Sequence, residues 1–166
     1  MTVSLNGWTY PAAKKVTKTV PGTSRRLTLN VLCAPLLLAV AADYHATVRP
    51  IDVGTVDEGG YCDRDARAAS GRKSNHATGT AIDLNWSEEG RLNSAWGAKF
   101  FALPAKRAAI KAMEARYGSC VQWGGDAWSS KSRDWMHWEI KPGVTPAQVA
   151  ALTKSLKINA QGVRQP

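Results

Sequence analysis

Ser-Asn-His-Ala-Thr-Gly-Thr-Ala-Ile-Asp at residues 74–83 and Asp-Trp-Met-His-Trp-Glu-Ile at residues 134–140 are the stretches from which the architecture can be read. In the first, His76 ends a polar loop, Gly79 permits a tight reversal, and residues 80–85 (TAIDLN) have the composition of a strand. Asp83 then points to the face opposite Ile82 and Leu84. In the second, a period of two places Trp135, His137 and Glu139 on one face and Met136, Trp138 and Ile140 on the other. A carboxylate inside an apolar strand is costly unless paired or coordinated. If the two strands are antiparallel neighbours, Asp83 faces His137 and the preceding loop folds His76 over both.

Outward from these strands, extended and helical patterns interleave without regular β-α-β spacing. Residues 31–46 are apolar and read as a buried helix with Pro35 in its first turn. Residues 49–56 (RPIDVGTV) have the β-branched alternation of a strand, followed by a turn or bulge at Gly59-Gly60. Residues 105–117 carry apolar side chains at helical spacing, start after Pro104 and stop at Gly118. Residues 120–123 and 135–140 read as short strands, and Thr145-Pro146 opens a closing helix to residue 156. The pattern predicts a single α+β domain over residues 1–166, with a mainly antiparallel sheet flanked by helices. Residues 1–27 read as a basic N-terminal arm with at most short strands, and 157–166 as a tail or linker stub.

The 166 residues carry 22 Lys and Arg against 13 Asp and Glu, a net charge of +9. All of the excess lies at the ends. Lys14, Lys15, Lys18, Arg25 and Arg26, and then Lys141, Lys154, Lys157 and Arg164, stand in segments without acids, whereas residues 43–140 are balanced. Basic ends favour an anionic polymer; the balanced centre argues against a nucleic-acid partner. No apolar run reaches the roughly 20 residues of a membrane span. The run at 31–42 begins too late for a secretion signal, so the chain is expected to be made in the cytoplasm without one. Cys33, Cys62 and Cys120 are odd in number and form no C-x-x-C pair. Cys33 reads as a buried apolar side chain, and a Cys62–Cys120 bridge stays open.

Two imidazoles and one carboxylate, His76, His137 and Asp83, with a fourth position left to water, form the ligand set of a catalytic zinc site rather than a thiolate-rich structural one. Amide hydrolysis at such a site also needs a carboxylate to move the proton. Asp134 and Glu139 are both candidates by their nearness to His137, and spacing alone does not choose between them. His45, near a helix end, reads as packing or surface.

The two stretches resemble the SxHxxGxAxD and (D/E)xxHxE signatures of the D-alanyl-D-alanine metallopeptidases, which cut the peptides of bacterial peptidoglycan. The resemblance runs over about residues 45–141 and implies their fold, which is hedgehog-like. It implies one zinc ion held by His76, Asp83 and His137, with Asp134 as the catalytic base. Glu139 then orients a ligand, and Ser74 donates a hydrogen bond near the site. Residues 60–64 (GYCDR) resemble a stretched Gly-Tyr-Arg element, which makes Arg64 the substrate or oxyanion arginine, with Arg67 and Arg72 as alternatives. Trp123 to Trp128 (WGGDAW) resemble the WGGDW stretch of the L-alanyl-D-glutamate endopeptidases. This makes Trp123 and Trp128 candidates to line the cleft, and Asp126 a substrate-side residue or a loop anchor. The resemblance, together with the opening SLNGWTYP, implies a monomeric phage lysin released onto the cell wall. A D-alanyl-D-alanine carboxypeptidase and a non-catalytic zinc-containing wall-binding module are the alternatives.

Overall fold

The computed structural model describes residues 2–12, 14–67, 71–89, 94–129 and 132–166. Two antiparallel sheets and a set of helices surround one buried helix, an α+β arrangement. The chain enters through a hairpin of β1 (Lys15–Thr19) and β2 (Arg26–Asn30), with Val16 opposite Leu29 and Lys18 opposite Leu27. Leu27 and Leu29 point inward and are fully buried, while β1 exposes Lys15, Thr17 and Thr19. Helix α1 (Ala34–Thr47) follows, with Pro35 in its first turn and Leu36, Leu37, Leu38, Val40 and Tyr44 all excluded from solvent. A helix that is apolar all round must lie inside a domain. Here α1 packs on β2, on α4 (Pro104–Tyr117) and on α6 (Pro146–Ser155).

The second sheet is assembled from β3 (Ala81–Asp83), β4 (Val121–Trp123) and β5 (His137–Ile140), in the order β3-β5-β4, antiparallel throughout. Its register sets Asp83 opposite His137 and Ala81 opposite Glu139. Gly59 adds a bridge on the free side of β3 by exchanging two backbone hydrogen bonds with Asp83. Behind the sheet, Trp123, Trp135, Trp138 and Phe101 form one aromatic cluster. Helices α2 (Trp86–Glu89), α3 (Ala95–Ala102) and α5 (Gly124–Ala127) fill the connections. The closing helix α6 begins with a reciprocal cap between Thr145 and Gln148.

Three expectations are corrected. Residues 49–56 form bends rather than a strand. Val53 is 73% and Val56 65% exposed, so no sheet receives them. The segment is held instead by Arg25, which donates to the carbonyls of Ile51, Gly54 and Thr55. The N-terminal arm is not peripheral, because Asn6 and Trp8 are buried and Trp8 Nε1 donates to the Val144 carbonyl at 2.9 Å. Residues 157–166 fold back through a bridge between Ile158 and Arg164, with Gly162 against Leu38 and Ala39 of α1. The three cysteines are free thiols; Cys33 and Cys120 are buried and Cys62 is exposed. No helix among the described residues is long and apolar enough to cross a membrane.

Candidate metal centre

A short 3₁₀ turn, Asn75–Thr78, carries His76. Ser74 caps it by accepting the His76 N–H at 3.3 Å, which leaves its own O–H to donate. Gly79 closes it in a left-handed conformation, with φ +66°. A Cβ at Gly79 would lie 2.5 Å from the Asn30 nitrogen, so both dihedral and space demand glycine. Gly60 is required for a different reason: a Cβ there would stand 2.3 Å from the Thr28 carbonyl oxygen. This close approach aims the Gly60 carbonyl at His76 Nδ1, 2.6 Å away.

The antiparallel register brings Asp83 and the loop imidazole onto His137. His137 Nδ1 is 2.8 Å from Asp83 Oδ1, His76 Nε2 is 3.3 Å from Asp83 Oδ2, and the two imidazole nitrogens are 3.3 Å apart. One ligand atom from each residue lies within 4.8 Å of the others. Two ligands 2.0–2.1 Å from a tetrahedral ion are separated by about 3.3–3.4 Å, so the two longer separations fit a shared metal. The hydrogen bonds behind the cluster point the same way. A carbonyl can only accept, so His76 carries its proton on Nδ1 and offers the lone pair of Nε2. His137 Nε2 faces Glu139 Oε2 at 2.9 Å, which leaves Nδ1 as the inward atom. Two lone pairs and a carboxylate therefore converge where a cation belongs.

The electrostatics agree. Asp83, Asp134 and Glu139 are three acids at the centre with no Lys or Arg ion pair among the described residues. Burial opposes charge on His137, yet the carboxylates on its two nitrogens outweigh burial and lift the imidazole to about 10. Burial likewise works against the Asp83 carboxylate, but the two imidazoles hold it well below the usual range. The cluster thus carries a cation either as imidazolium or as a metal ion, and the donor set fits zinc.

Asp134 sits on the turn that leads into β5, its backbone oxygen accepting the His137 N–H at 3.3 Å. Its side chain is buried, and Oδ1 has no hydrogen-bond partner. Burial raises its carboxyl above the ordinary value against the pull of His137, and the Asp83 charge adds to the rise. The fold makes no use of that oxygen, which leaves it available to a substrate or water. Trp128 lies beside the cluster, its ring centre 5.0 Å from that of His137.

Other candidates are placed elsewhere. Trp123 is 1% exposed, and its Nε1 donates to the Trp135 carbonyl at 2.9 Å, so the indole belongs to the core and not to the cleft. Asp126 makes a two-pronged ion pair with Arg107 at 3.0 and 2.6 Å and contacts Lys111, anchoring α5 to α4. Arg72 is committed to the carbonyls of Ser4 and Leu5, and Arg67 is exposed. The Arg64 backbone oxygen accepts the Ser74 N–H, two residues from His76, and its half-buried side chain makes no polar contact among the described residues. His45 accepts the Ile51 N–H and is not part of the cluster. Sequence reasoning missed Asn75, Gln122 and the Gly60 carbonyl, which hold the ligands from behind. A signal for Asn75 was its place inside the first signature, directly before the histidine.

Residues 67–140 match the family model described as D-alanyl-D-alanine carboxypeptidase. Over this segment the chain is similar to the D-alanyl-D-alanine metallopeptidase family. The matched segment contains His76, Asp83, Asp134, His137 and Glu139, whereas Arg64 precedes it. The family is one of peptidases, typically zinc enzymes, acting on peptidoglycan-type substrates. No curated protein and no solved structure matches the chain.

Proposed function

We propose that this protein is a zinc-dependent L-alanyl-D-glutamate endopeptidase that hydrolyses peptidoglycan stem peptides. The observation that carries the reading is the convergence of His76, Asp83 and His137 beside an unpartnered oxygen of Asp134. When bound, zinc supplies a Lewis acid and makes water a stronger acid near neutral pH. Asp134 accepts the proton released as water adds to the scissile carbonyl, and returns it to the departing amine when the C–N bond breaks. Its raised carboxyl suits a group that must both take and give a proton. Arg64 is the side chain on the loop against Ser74 that would meet the substrate's oxyanion or carboxylate.

An aspartate at position 134 and the Trp-Gly-Gly-Asp stretch at 123–126 favour cutting within the stem peptide. The second reading is a D-alanyl-D-alanine carboxypeptidase, favoured by the description of the matching family. The proposed setting is that of a monomeric phage lysin whose basic ends draw it to anionic wall polymer. The test is digestion of purified peptidoglycan with the zinc-loaded protein, reading new termini by mass spectrometry. New N-terminal glutamate supports the endopeptidase, and free D-alanine supports the carboxypeptidase. Unchanged peptidoglycan that the protein binds, but does not cut, would leave a binding module.

A further inference from the structure

Three segments distant in sequence meet on the Glu139 carboxylate. One oxygen accepts His137 Nε2 at 2.9 Å and Asn75 Nδ2 at 2.5 Å; the other accepts Gln122 Nε2 at 2.7 Å. Asn75 is 4% exposed, and its own Oδ1 accepts the backbone N–H of Asn6 at 2.8 Å. That contact fixes which end of the amide faces which partner, because an oxygen facing Asn6 leaves the NH₂ facing Glu139. Asn6 is itself immobilised. Its Nδ2 donates to Thr80 Oγ1 at 2.9 Å and to the Ile140 carbonyl at 3.0 Å, and its Oδ1 accepts Ser4 Oγ–H at 2.6 Å. The chain of contacts therefore runs from the N-terminal arm, through Asn75 and Glu139, to a nitrogen of His137.

We propose that Asn75, oriented by Asn6, is a positioning residue of the metal centre. It holds Glu139 in the one orientation in which Glu139 accepts from His137 Nε2 and leaves His137 Nδ1 to the metal. The inference rests on the metal reading above and extends it, since it makes the N-terminal arm part of the centre. A carboxylate free to rotate on its strand would let the imidazole turn or change tautomer, and a misoriented ligand binds metal poorly. Buried polar groups that are fully partnered specify one arrangement, and losing a single donor here unpicks several.

Zinc affinity, measured by competition with a chelator, and the ¹⁵N NMR signature of the His137 imidazole test the idea together. Asn75→Ala should weaken zinc about 10- to 100-fold and, in the zinc-loaded protein, turn a single His137 tautomer into a mixture. Asn75→Asp keeps the acceptor for Asn6 but sets an oxygen against Glu139. It should weaken zinc to a similar degree, and it decides the matter if Asn75→Ala does not fold. A residue with only a structural role would lower stability and leave the tautomer unchanged. Folded variants that bind zinc as tightly as wild type, with His137 still protonated on Nε2, overturn this inference alone. Wild-type protein that binds no zinc overturns the metal reading as well.

Discussion

One oxygen of Asp134 is buried without a donor, and a polar group left in that state costs about 1–3 kcal/mol. Asp134→Asn removes the charge but keeps the shape. It should lower kcat at least 100-fold, leave zinc affinity within about twofold, and hold or raise the urea midpoint of the chelated protein. A clear loss of stability would mean that the carboxylate serves the fold. His137→Ala should abolish zinc binding and turnover together, checked by metal analysis of the purified variant. Glu58 gives a pH effect away from the centre. Burial and then the neighbouring Asp57 carboxyl raise it to about 7, although Arg25 Nε stands 3.1 Å away, because Arg25 directs its hydrogens at three carbonyls. An acid with a raised folded pKa favours the folded state fully below its unfolded value, near 4.5, and that contribution is lost as pH rises through about 7. Between pH 5 and pH 8 the wild type should therefore lose up to about 3 kcal/mol relative to Glu58→Gln, read as diverging urea midpoints.

At the level of elements, the 3₁₀ turn is the piece most sensitive to a single methyl group. Gly79→Ala forces a side chain into a left-handed position and onto the Asn30 backbone. It should cost at least about 1–3 kcal/mol in denaturant titrations and weaken zinc binding, because His76 moves with the turn. The reversal at Gly79 was legible in the sequence, and so was the facing of Asp83 and His137 once the two strands are antiparallel neighbours; the 3₁₀ turn itself read only as a polar loop. Helix α4 was legible too, bounded by Pro104 and Gly118. The segment at 49–56 misled because β-branched alternation reports a strand only where another strand is free to pair, and here the Arg25 side chain takes up its carbonyls. Helix α3 lacks a regular apolar period, and α2 is a single turn, so neither produced a pattern. The residues behind the ligands were illegible for another reason. Asn75, Gln122 and Asn6 are ordinary amides whose role depends on distances between segments up to 134 residues apart.

Across the whole molecule, both ends that looked like loose basic extensions are folded onto the body, yet several of their cations remain on the surface. Lys14 and Lys15 are exposed, as are Lys154 and Lys157. Binding to an insoluble wall preparation should therefore fall steeply as salt rises, and Lys14→Glu with Lys15→Glu should weaken it with little change in hydrolysis of a small soluble substrate. Salt-independent retention would assign adhesion to something other than charge. The cysteines add a practical consequence. Burial raises the thiols of Cys33 and Cys120 and shields them from reagents, while Cys62 is exposed and its amide N–H donates to the His76 carbonyl at 3.2 Å. A maleimide fluorophore would therefore attach at one position, a single backbone hydrogen bond away from a metal-holding loop. Its emission could follow metal loading in real time without any engineered handle.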